Sequence, residues 1–286
     1  MSPRFGILGL VAFIAAYVAS IVLYVDNGMG HPHQIAESPS SGDGTTVTVD
    51  VEEIQSDHSV LVANIAVSPA PALLDPQSHD LKEDLSIVLT SAVTAGKRTW
   101  SKGTLPDVFR VSLTLAGDVA EWPFDRYRSG PITIDLLSGA TRVLQHPTVT
   151  MVDRLLGWNV DVARISTANA LAADRVDLYR SSSTVAFGVV LLAVLVALAG
   201  LGLFVAVQTA RDRRKFQPPM TTWYAAMLFA VMPLRNALPD SPPFGCWVDV
   251  TVVLWVIVVL VISMTLYISC WWRHLRPDNP AEHAKG

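Results

Sequence analysis

Two hydrophobic rhythms divide this chain. Three long stretches carry no charge: residues 5–25, 184–208 and 250–272, of 21, 25 and 23 residues. A bilayer core of roughly 30 Å takes about 20 apolar helical residues, so each stretch predicts a membrane-spanning helix. A shorter apolar stretch, 221–234, predicts a fourth. The polar region between the first and second stretches follows a period of two. Val47, Val49 and Val51 alternate with Thr48, Asp50 and Glu52, and Val111, Leu113 and Leu115 alternate with Ser112 and Thr114. Ile132 and Ile134, and then Trp158, Val160 and Val162, repeat the pattern. Alternation of this kind gives a strand one buried and one wet face. Seven or eight such strands, punctuated by Gly, Pro and Asp, predict an antiparallel β-sandwich. Residues 167–179 have a helix-capable composition instead.

The expected fold is therefore a membrane protein with four transmembrane α-helices and an extracytoplasmic antiparallel β-sandwich. Its parts are an N-terminal anchor (1–25), a flexible linker rich in Pro, Ser and Gly (26–45) and the sandwich (46–183). A three-helix membrane region (184–272) and a cytoplasmic tail (273–286) follow. Arg4 and Val18-Ala19-Ser20 also fit a secretory signal, but the uncleaved reading suits the length of the first stretch better.

Charge orients this scheme. Residues 26–183 hold 20 acidic and 12 basic residues, whereas the rest of the chain holds 5 and 9. Arg211, Arg213, Arg214 and Lys215 follow the second stretch, and Arg273 and Arg276 follow the last. Basic residues beside spans stay cytoplasmic. The large domain is thus expected outside a plasma membrane, with both termini inside. The two cysteines, Cys246 and Cys270, flank the last stretch 24 residues apart. A helix would separate them by about 36 Å, beyond the roughly 7 Å that a disulfide spans. The outer domain has no Asn-x-Ser/Thr acceptor, which fits a bacterial envelope.

The chain carries no nucleophile elbow, zinc-protease helix, Cys-x-x-Cys, phosphate loop or dinucleotide fingerprint. His31 and His33 lie in the linker without a carboxylate cluster beside them. No enzyme activity, cofactor or metal is expected, and no nucleic-acid partner. Two segments stand out as structural or interface candidates. In residues 121–128 (EWPFDRYR), Trp122 and Phe124 are apolar enough to bury, and Asp125 is placed to cap a turn or to pair with Arg126 or Arg128. In residues 232–249 (MPLRNALPDSPPFGCWVD), Pro233 is expected to limit the third span. Arg235 and Asn236 follow it, and Asp249 opens the last apolar run. A charge at a span edge is costly unless it reaches water or a partner, so Arg235 and Asp249 are expected to pair.

Pro123-Phe124-Asp125 is similar to the Pro-Phe-Asp of pentameric ligand-gated channels, over three residues and without their cysteine loop. The run from Met232 to Pro239, with Pro242-Pro243-Phe244-Gly245, Asp249, Trp255 and the Trp122–Tyr127 segment, resembles an uncharacterised family of actinobacterial, mainly mycobacterial membrane proteins, the domain of unknown function 4436. That resemblance covers nearly the whole chain and implies an envelope location without an activity. The expected role is non-enzymatic, structural or accessory. The expected partners are the lipid bilayer, other envelope proteins and further copies of the chain. The other readings are an oligomeric transport or channel component and an envelope lipid- or glycan-binding protein.

Overall fold

A computed structural model describes residues 3–26, 32–37, 44–91, 96–139, 143–145, 147–165, 173–211 and 220–274. The chain forms two compact units, Met1–Val185 and Ala186–Gly286.

The first unit begins with helix α1 (Pro3–Asp26) and continues as β-structure. Its strands are β1 (His33–Glu37), β2 (Thr46–Gln55), β3 (Val60–Ser68), β4 (Leu85–Leu89), β5 (Gly96–Trp100) and β6 (Phe109–Gly117). Then come β7 (Arg126–Ser129), β8 (Ile134–Ser138), β9 (Val143–Gln145), β10 (Thr148–Asp153), β11 (Trp158–Ile165) and β12 (Ala173–Arg180). Eight strands make one sheet in the order β1-β10-β2-β3-β6-β7-β12-β11, and four make a second in the order β5-β4-β8-β9. The alternating residues face inward as their period requires. Val47, Val49, Val51, Leu61, Ala63, Ile65, Val111 and Leu113 from the large sheet share one core with Leu85, Ile87 and Leu136 from the small one. The edge strands β1 and β11 approach each other, so the large sheet curls nearly into a barrel.

This architecture corrects the expected antiparallel sandwich. Strand β10 runs parallel to β2, from Thr148 opposite Thr46 to Asp153 opposite Val51. Alternation says which face of a strand is buried, but not which strands are neighbours. A parallel neighbour far away in sequence leaves no local signature. Part of the expected linker also belongs to the sheet, because β1 pairs antiparallel with β10; residues 27–31 and 38–43 lie outside the described residues, His31 among them. Residues 173–179, expected as helix, are strand β12, paired with β11 and β7. Val176 and Leu178 are each 1% exposed. Their burial outweighs the helix propensity of an Ala-rich run; residues 167–172 are outside the described set.

The four-span expectation is corrected as well. Among the described residues, two helical stretches are long and apolar enough to cross a bilayer, Ser182–Ala210 and Asp249–Cys270. The first is helix α2, whose opening turn lies in the first unit. The second comprises a π-helical turn, Asp249–Val253, and most of helix α4 (Leu254–His274). Helix α3 (Met220–Asn236) has 17 residues, about 26 Å at 1.5 Å per residue, less than a bilayer core. The described apolar part of α1 is the short stretch Ile14–Val25.

In the second unit small residues bring helices close, as the spacing of Gly202 and Ala206 suggests. A Cβ at Gly202 would stand 3.2 Å from Leu260 Cδ2 of α4 and 3.3 Å from Tyr224 Cε1 of α3. The Tyr224 hydroxyl donates to the Gly202 carbonyl at 2.7 Å, which satisfies a buried polar group in an apolar setting. The Tyr224 and Tyr267 rings meet at a tilt of 48°, 5.6 Å between centres.

Candidate functional site

The aromatic and charged segment after β6 folds as a cap on the end of the large sheet. Asp118 Oδ1 accepts from the Ala120 amide at 2.8 Å and starts a 3₁₀ turn, Val119–Glu121. Trp122 then turns inward and is fully buried, and a cis peptide joins it to Pro123. Phe124, expected to bury, points outward and is 62% exposed. Asp125 is fully buried.

Asp125 pairs with neither Arg126 nor Arg128. Its partner is Arg180, the last residue of β12. Arg180 Nε donates to Oδ1 at 2.5 Å and Nη2 to Oδ2 at 3.0 Å, with both side chains essentially out of solvent. The guanidinium lies 4.4 Å from the centre of the Trp158 ring and 5.9 Å from that of Trp122. Trp158 in turn meets Tyr127 edge-on at 5.7 Å. Burial first, and the Asp125 charge second, push the Tyr127 phenol well above its ordinary range, so it stays neutral. The result is a dry ion pair walled by aromatic rings, of the bidentate kind that fixes orientation as well as charge. Arg126 stays exposed, while Arg128 and Arg175 both reach Asp177 at the surface.

Register explains the pairing. Arg126 faces Tyr179 and Tyr127 faces Leu178, so continuing the ladder sets Asp125 opposite Arg180. On the other side of β12, Trp158 faces Arg180. The sequence does hold a signal for this arginine: Val176, Leu178 and Arg180 recur at period two, so Arg180 falls on the buried face and requires a buried acceptor.

The entry to α2 is tied to the same place. The Ser181 amide donates to the Gly157 carbonyl at 3.0 Å, and Ser181 Oγ accepts from the Thr184 amide at 3.3 Å, capping the helix. Gly157 has φ +80°, and a Cβ there would stand 2.6 Å from Thr184 Oγ1.

The second candidate segment closes a separate cluster between α3 and the π-helical turn. Arg235 Nε donates to Asp249 Oδ1 at 2.9 Å and Nη2 to Oδ2 at 2.7 Å. The Gly245 amide adds a third donor to Asp249, at 2.9 Å. Phe244 covers the guanidinium at 4.2 Å. Asn236 contributes its backbone carbonyl, which accepts from Ser241 Oγ at 2.8 Å. Pro233 lies inside α3, which runs three residues past it. Sequence reasoning paired Arg235 with Asp249 and overlooked Gly245 and Phe244 as their support.

In both clusters the acid is closed off by an arginine, an arrangement that holds segments in position. Among the described residues no group of three His, Cys, Asp or Glu side chains is placed to hold a metal ion. Fold and clusters together define a class: a curled β-domain whose last strand passes, through a single residue, into a long apolar helix. Residues 35–179 match the family described as domain of unknown function 4436, and the chain belongs to that family. Residues 180–274 match a second, the domain of unknown function 8686. No curated protein matches the chain. The border between the two matched regions falls between Tyr179 and Arg180, so the buried pair joins Asp125 of one to Arg180 of the other.

Proposed function

We propose that this chain is an integral membrane protein of the bacterial plasma membrane, non-enzymatic, which displays its β-domain outside the cell and acts through that domain's contacts with other envelope proteins. The observation that carries the reading is helix α2. It starts two residues after the end of β12, has 29 residues, and in its most apolar stretch is only 22% buried. A core helix of a soluble domain hides most of its surface, whereas this one leaves valine, leucine and phenylalanine side chains facing outward. Helix α4 with its preceding turn offers a second crossing. Arg211 and the basic residues up to Lys215 follow α2, and by the positive-inside tendency they hold that end in the cytoplasm and leave the β-domain outside.

Two measurements test this. The full chain should stay in the membrane pellet after alkaline carbonate extraction; release into the supernatant refutes the reading. In whole cells a cysteine replacing Asp57, in the exposed β2–β3 turn, should react with a membrane-impermeant thiol reagent, and one replacing Arg213 should not. The reverse pattern overturns the orientation. Crosslinking in intact cells through the exposed face of the β-domain then identifies the envelope proteins it touches.

A further inference from the structure

Among the described residues, four large apolar side chains of the β-domain are more than half exposed, Leu105, Val108, Phe124 at 62% and Leu156 at 74%, and the last two adjoin the start of α2. Phe124 precedes Asp125, whose carboxylate is bonded to Arg180, the last residue of β12. Leu156 precedes Gly157, whose carbonyl accepts from the Ser181 amide. Strand β12 runs between β7 and β11, so the two side chains stand on either side of the departing chain. Phe124 also has an exposed arginine two residues away, Arg126, whereas Arg154, two residues from Leu156, is paired with Asp50 at 3.3 Å. Both loops are held rigidly: the Asp125–Arg180 pair fixes the first, and the Gly157 carbonyl, bonded to the Ser181 amide, fixes the second.

We infer that Phe124 and Leu156, with Arg126, form a lipid-binding surface that seats the β-domain on the phospholipid headgroups around the start of α2. The inference rests on the proposed membrane reading of α2. If α2 enters a bilayer at its first turn, residues beside Arg180 and Ser181 lie at the headgroup level. An aromatic and an aliphatic side chain fit the acyl boundary there, and an arginine fits anionic headgroups. A fixed pair of apolar anchors is otherwise costly to leave in water.

Spin labels test this in the full chain, reconstituted in vesicles of phosphatidylethanolamine and phosphatidylglycerol, with Cys246 and Cys270 replaced by alanine. Labels go on single cysteines at positions 124, 156, 108 and 196. Val108 is the control. It is 61% exposed, but it precedes β6, whose far end, Gly117, faces Tyr127. It therefore lies about 30 Å along the strand from the end nearer α2. Val196 lies on α2 and is 55% exposed, so it reports whether that helix is in the bilayer. The expected result is that dissolved oxygen relaxes labels at 124, 156 and 196 more than a water-soluble nickel chelate does, with the reverse at 108. If 196 reads as lipid while 124 and 156 read as water, the lipid-binding surface is overturned and the membrane reading survives. If 124 and 156 are shielded from both relaxers, a protein covers them and the inference also fails. If 196 itself reads as water, both readings fall together.

Discussion

Breaking the Asp125–Arg180 pair should destabilise the β-domain more than any other single change among its ion pairs. Both side chains are at most 1% exposed, so water screens neither. Each charge-assisted hydrogen bond contributes on the order of 1.5–3 kcal/mol, and there are two. Removing one partner also strands the other charge in a dry site, for which losses of about 3–5 kcal/mol are typical. Arg180→Met further gives up the contact with the Trp158 ring, about 1–2 kcal/mol when desolvated. Its expected cost is therefore about 4–5 kcal/mol. Asp125→Asn keeps one acceptor oxygen and should lose about 3–4 kcal/mol, at the lower end of that range. The double change, Asp125→Leu with Arg180→Met, leaves no stranded charge. It should recover on the order of 2 kcal/mol or more relative to the sum of the single losses. The assay is guanidinium unfolding of the full chain in detergent, followed by the near-ultraviolet circular dichroism of the tryptophans, two of which adjoin the pair. Midpoint shifts at constant slope convert directly to stability differences. Single losses below about 1 kcal/mol, typical of a solvated surface pair, would refute the reasoning. So would a double variant whose loss equals the sum of the two.

Arg235 and Asp249 should behave likewise. Alanine at either position is expected to lower the melting temperature of the detergent-solubilised chain, and the double variant should be no worse than the more damaging single one. Gly202→Val places side-chain atoms within about 3 Å of Leu260 and Tyr224 and should cost about 1–3 kcal/mol by overpacking, read as a lower melting temperature; no change would mean that the helices separate there easily. Burial raises the Asp153 carboxyl above its ordinary value of 3.8, only partly offset by the Leu155 amide and His33. Stability from this group is present below that value and is lost as pH rises through the folded one. Asp153→Asn keeps an acceptor for Leu155 and should stabilise the domain at neutral pH but not near pH 3, which melts at the two pH values compare. Burial pushes Asp177 the other way from its partners, but Arg128 and Arg175 prevail and lower it. Its stability is therefore present above 3.8 and lost as pH falls through the depressed value, and Asp177→Asn should flatten the acid limb of the stability profile.

Local pattern carried some of this architecture in legible form. Val47, Val49 and Val51 are buried while Thr48 and Asp50 are half-buried, because a period of two allows a strand only one inner face. The uncharged stretch at 184–208 lies within a single helix, α2. The order of strands was not legible, since β10 finds β2 through contacts that neither segment encodes alone. Strand β12 was misread because Ala-rich composition speaks for a helix in isolation, and only the company of β7 and β11 reverses it. The short apolar stretch at 221–234 reads as a span from its composition, yet it gives a helix of 17 residues. Among the candidate residues, Arg235 and Asp249 were brought together by a short loop, a local argument. Asp125 went to Arg180, 55 residues away, where proximity in sequence is no guide.

The distant pairing bears most on how the β-domain ends. Here the join is a single residue, Ser181, whose amide is held by Gly157 and whose hydroxyl caps α2. The residue before it is locked to Asp125, just ahead of β7. Position 157 tolerates no side chain, because the first turn of α2 occupies the space where one would stand. A rearrangement of the 122–126 turn would therefore move Arg180, and with it the opening turn of α2. That coupling lies within the first unit, between the end of β12 and the opening turn of α2.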